Sequence, residues 1–168
     1  MKRQIRKETF ETNSSSIHTI AISRKKTDYP VLKYLCFDGD EFGWEVRKHQ
    51  DPKIKAKYLY TAISYLDDRD TQIKKVVETL IKHGCAAEYV PYNNDGDYWA
   101  NGYIDHPEGL YEFLGLVLNN EDTLLEYLFG DSAIYTYNDN MDCSEGLYFY
   151  KELDGLNADE YLIIRKGN

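Results

Sequence analysis

Two histidines and two carboxylates are the side chains best suited to chemistry: His18, Glu41, Asp105 and His106. His18 lies in SIHTIAIS, where strand parity puts His18, Ile20 and Ile22 on one face, toward the core. A buried imidazole needs a partner for its polar nitrogens: a metal ion, or a carboxylate or carbonyl that satisfies a core histidine. His106 precedes Pro107, which favours an extended residue at or just before a helix N-terminus. The positive helix end disfavours imidazolium, and neutral imidazole is the form that binds a metal. Asp105 can charge a metal site or orient an imidazole, or it can cap the helix. Glu41, in the turn beside Trp44, is the third candidate ligand. Imidazoles with a carboxylate make a sound tetrahedral zinc site.

Other chemistries fit less well. No HxxxH, CxxC or HExxH spacing occurs, and no glycine loop cradles phosphate. Calcium loops begun at Asn93 or Asn138 put Tyr98 or Cys143 where glycine is required. Ser14, Ser15 and Ser16 stand beside His18 without a GxSxG turn, and strand neighbours do not point at each other. The His83–Cys85 pair reads as the end of a helix and the start of a strand. Cys36, Cys85 and Cys143 are odd in number and widely spaced, which suggests a reducing, intracellular setting rather than a disulfide framework.

The elements that must hold these residues follow from periodicity. Strands are expected over about 16–23, 31–37, 85–92, 132–137, 146–151 and 160–165. Asp51-Pro52 is a helix start, with Ile54, Tyr58, Ala62 and Tyr65 recurring after it. Asp70 opens a second helix carrying Ile73, Val76, Val77, Leu80 and Ile81, with Gly84 as its stop. Pro107 leads into Leu110, Phe113, Leu114 and Val117, and Glu121 to Phe129 forms a short fourth helix. The expected fold is a single α+β domain over 1–168, mostly antiparallel, with about four helices and a flexible, basic segment over 1–9.

The net charge is −9, unevenly placed: residues 1–85 carry +5 and residues 86–168 carry −14. Between Lys82 and Lys151 there is no Lys or Arg and there are 13 acidic residues. An acidic half repels nucleic acid and suits a basic partner, such as a nucleic-acid-binding protein. A solvated face that keeps the chain soluble is the plainer reading. Tyr89, Tyr92, Tyr98, Tyr103, Tyr135, Tyr137, Tyr148 and Tyr150 fall in that half, a mixture suited to protein recognition unless they face a sheet core. No apolar run approaches the roughly 18 residues of a membrane helix, and the N-terminus lacks the apolar core of a secretory signal.

Four stretches carry a resemblance: FETNSSSIH (10–18), DEFGWE (40–45), YIDH (103–106) and FGDSAIYTYNDN (129–140). They resemble a family of small proteins from phages and other mobile elements of Gram-positive bacteria. Within it, the chain is similar to zinc-containing anti-CRISPR proteins directed at Cas9. The resemblance implies an inhibitor that binds Cas9 and interferes with target-DNA loading, in the host bacterial cytoplasm. The sequence departs from a common form of the third stretch, since Pro107 follows the histidine where a polar residue is usual. Two further readings stand beside it: a metal-dependent hydrolase with zinc-activated water near Glu41 or Asp105, and a metal-free domain with a different partner.

Overall fold

A computed structural model describes residues 16–26, 34–43, 45–95, 100–138 and 151–166. Its largest sheet has the order β4-β7-β1-β8 and is antiparallel throughout. The strands are β1 (Ser16–Ser23), β4 (Arg47–His49), β7 (Ala133–Asn138) and β8 (Tyr161–Lys166). Strand β1 is central because its β-branched and small side chains bury on both faces. Ile20, paired with Ile134 and Ile164, faces the larger core. Ala21, paired with Ala133, faces a second cluster with Tyr135, Tyr137 and Leu153.

Four α-helices build the larger core. In α1 (Pro52–Ile63), Asp51 caps the first turn by accepting from Lys53 N–H at 2.7 Å. Helix α2 (Arg69–Lys82) starts from Asp68 rather than Asp70. It ends as expected at Gly84, whose φ of +82° lets Cys85 N–H reach back to Leu80 O at 3.0 Å. Pro107 opens a 3₁₀ turn, η1 (Pro107–Gly109), before α3 (Leu110–Asn119). Asn120 caps α4 (Glu121–Phe129) by accepting from Thr123 N–H at 3.0 Å. Helix α1 is central, with Lys55, Ala56 and the run Tyr58–Ile63 all buried. Tyr58 contacts Phe42 (ring centroids 4.9 Å apart) and Phe113 (6.0 Å), and Phe113 contacts Tyr127 (5.0 Å).

Two small parallel ladders finish the α+β fold: β2 (Leu35–Phe37) with β5 (Ala87–Tyr89), and β3 (Glu41–Phe42) with β6 (Tyr103–Ile104). Strands β3, β4 and β6 escape periodicity because two or three residues show no alternation. Lys151, expected to end a strand, is helical with residues 152–154. The rest of that strand, the basic segment 1–9, Ser14, Ser15, Trp44, Tyr98 and Cys143 lie outside the described residues. No helix among the described residues is long and apolar enough to cross a membrane.

Candidate functional site

The described parts of the stretches that stood out in the sequence meet at one junction. Strand β1 brings His18 in, and β3 and β6 run side by side, with Glu41 against Tyr103 and Phe42 against Ile104. Strand β7 lies on β1, with Thr136 opposite His18. Tyr103 N–H donates to Asp40 O at 2.9 Å and Asp105 N–H to Phe42 O at 3.0 Å. Ser16 Oγ donates to Asp105 O at 3.2 Å, and Thr136 Oγ1 to Glu45 O at 2.6 Å.

His18 is fully buried at the centre. Its Nε2 lies 2.9 Å from Gly43 O and its Nδ1 lies 3.0 Å from the Tyr58 hydroxyl. The carbonyl can only accept, so Nε2 carries the proton; in the neutral ring Nδ1 then accepts from Tyr58. Burial pushes the Tyr58 phenol far above its usual range, which keeps that hydroxyl a donor. His18 therefore meets the carbonyl expected of a core histidine, together with a phenol.

The other three candidates lie on the rim. Glu41 is exposed. Asp105 Oδ1 accepts from the Tyr103 hydroxyl at 2.7 Å, and its side chain is 26% exposed. His106 Nε2 stands 3.9 Å from Asp105 Oδ1, and its side chain is 41% exposed. Asp105 is not the cap residue of η1; His106 holds that position, without a side-chain cap bond. The expected extended conformation at His106 is also not adopted. Its φ is 52° and ψ 70°, the only left-handed non-glycine among the described residues. That turn leads the chain from β6 into η1, at a local cost of about 1–2 kcal/mol.

Both His18 nitrogens face protein groups, and among the described residues no cluster of three or more His, Cys, Asp or Glu could hold a metal ion. Cys85 is buried, with its thiol facing Ala86 O, while His83 turns to Glu121. Ser16 Oγ is engaged with Asp105 O rather than His18.

Beside the rim, Tyr65, Pro107, Leu110, Tyr111 and Leu114 line a shallow apolar groove of about 170 Å³. Tyr111 is 67% exposed. Its position off the Leu110–Phe113–Leu114–Val117 stripe was the available signal. Of the tyrosines expected at a recognition face, Tyr92, Tyr135 and Tyr137 are buried and Tyr89 and Tyr103 half-buried.

Folding brings the two oppositely charged halves together. Lys25 meets Glu160, Lys26 meets Asp122 and Lys82 meets Glu121, each at 2.9 Å, and Lys48 meets Glu152. Bases of the first half thus cover part of the second half's acidity. Glu88, Asp95, Glu112, Asp131, Asp154 and Asp159 remain solvent-exposed.

Comparison with protein-family models, with curated proteins and with solved structures finds no match. What stands is the class: an α+β protein with a mostly antiparallel sheet and a closed, hydrogen-bonded junction around His18.

Proposed function

We propose that this chain is a binding protein of the anti-CRISPR kind, which docks on Cas9 and interferes with target-DNA loading. The observation that carries the reading is the charge distribution. Residues 86–168 hold 17 acidic and 3 basic residues, and most described acids in that half are exposed. A surface of that sign complements a channel built to hold nucleic acid, and it speeds encounter with such a partner. Exposed Tyr111 next to exposed Glu112, above the apolar groove, supplies an aromatic anchor with a charged neighbour.

The closed state of His18 supports binding over hydrolysis. A zinc hydrolase needs an open coordination position and a reachable base. Here the central imidazole faces a carbonyl and a phenol.

The test is capture of guide-loaded Cas9 by the purified chain at about 50 mM and about 300 mM salt, where screening differs strongly. Binding at low salt that weakens at high salt, with loss of target-DNA loading, is the expected result. No binding at low salt rejects the target. Tyr111→Ala should weaken capture while leaving the melting temperature within a few degrees. Metal analysis of fresh protein, with His18→Ala and His106→Ala, separates the hydrolase reading. Turnover lost with folding intact would favour it.

A further inference from the structure

We propose that strand β8 pairs with β8 of a second copy across a two-fold axis, joining two sheets into one. Among the described residues β8 ends its sheet, with β1 on one side and no strand on the other. The phase of its hydrogen bonds is set by Arg24 N–H, which donates to Glu160 O at 2.8 Å. Antiparallel ladders alternate, so positions 160, 162, 164 and 166 direct main-chain groups toward β1. Positions 161, 163 and 165 direct theirs outward. Tyr161 N–H turns back to Asn157 O at 2.9 Å, leaving the Tyr161 carbonyl and both main-chain groups of Ile163 and Arg165 along the rim.

An edge of this kind is a template for another strand unless it is blunted. The opposite edge is blunted: β4 is three residues long and reads Arg-Lys-His. Strand β8 has six residues, no proline and an apolar centre, Tyr161 to Ile164. Leu162 and Ile163 are only half-buried.

The pattern of β8 selects a second copy as the occupant. With an outward-directed residue on a two-fold axis, the two copies exchange both of its main-chain hydrogen bonds, and Ile163 is the outward-directed residue at the centre. That register sets position 162 against 164 and position 161 against 165. The pairs are then Leu with Ile and Tyr with Arg. Aliphatic and cation–aromatic pairs are favourable cross-strand combinations. The segment YLIIR is thus its own antiparallel complement.

The test is sedimentation equilibrium on the full chain, with circular dichroism to confirm folding. Wild type should show a monomer–dimer equilibrium with a dissociation constant below about 1 mM. Ile163→Pro removes an outward N–H and spares the bonds to β1, so it should abolish the dimer. Ile163→Lys sets like charges directly opposite each other on the axis and should weaken the dimer about tenfold or more. Mixing Ile163→Lys with Ile163→Glu should restore pairing between the two variants. If Ile163→Pro does not fold, the charge pair decides. A chain that stays monomeric, even one that captures extended peptides, overturns the proposal. So does a dimer indifferent to these changes, or one that mixing the two charged variants fails to restore.

Discussion

His18 and Tyr58, forty positions apart in the chain, share a hydrogen bond of 3.0 Å in a site from which water is excluded. The bond ties the middle of the sheet to the central helix, and the other ring nitrogen ties the sheet to the loop after β3. Removing the imidazole leaves a buried phenol and a carbonyl to be satisfied anew. His18→Ala should therefore cost about 2–4 kcal/mol and Tyr58→Phe about 1–3 kcal/mol. Urea unfolding of both variants and of the double variant should give a coupling energy of about 1–3 kcal/mol. Additive losses would mean that the pair is not a unit.

The backbone around β3 and β6 makes a second expectation. A Cβ on Gly102, at φ +82°, would sit 2.6 Å from Asp40 backbone atoms and from Thr61 Oγ1. Gly102→Ala should cost at least about 3 kcal/mol, from overpacking and strain together. Gly115, inside α3 with open space around its Cβ position, is the control. Gly115→Ala should stabilise by about 0.5–1 kcal/mol. His106→Gly should also stabilise, by about 0.5–1 kcal/mol, because glycine adopts the left-handed turn without strain.

The buried Lys55 and the two tyrosines Tyr60 and Tyr161 act oppositely on stability as pH rises. Lys55 donates to Ser132 O at 3.1 Å and Gly130 O at 3.3 Å, yet burial holds its ammonium down to about 8. Lysine in the unfolded chain titrates near 10.4, so the unfolded state binds more protons from pH 8 upward, and stability rises there. Burial pushes Tyr60 up to about 12, and the hydrogen bond to Asp131, with burial, does the same for Tyr161. Their contribution is complete below about pH 10 and is lost between about 10 and 12. Unfolding midpoints should climb from pH 8 to about 10 and fall beyond it. Lys55→Met should flatten the climb and leave the fall unchanged.

Lys82 and His83 hydrogen-bond the Glu121 carboxylate at the start of α4 and hold it below the usual carboxylate range. Lys82→Ala should let that carboxyl rise, as followed by NMR titration, with little change in stability because the pair is exposed. If a basic partner reads this part of the surface, the same variant should bind it more tightly. An unchanged Glu121 titration would show that the lysine does not govern it.

How much of this was legible in advance differs from residue to residue. The strand 16–23 and its inward face were readable because β-branched alternation and burial share a period of two. The helix starts at Asp51-Pro52 and Pro107 were readable because caps and prolines act locally. Lys55 had a signal, since it shares a helical stripe with Leu59 and Ala62. Its carbonyl acceptors, more than seventy positions away, had none. The ladder of β3 with β6 was invisible, because its two residues per strand hold no pattern and its partners are set by other elements.

Local patterning was enough to place the long strand 16–23, the four helices between 52 and 129 and the inward face of His18, since propensity and periodicity are local properties. What His18 touches, a helix phenol and a loop carbonyl, was set by how distant segments pack. The tertiary structure also decided that bases of the first half cover acids of the second, because charges counted along a chain say nothing about which of them folding brings together.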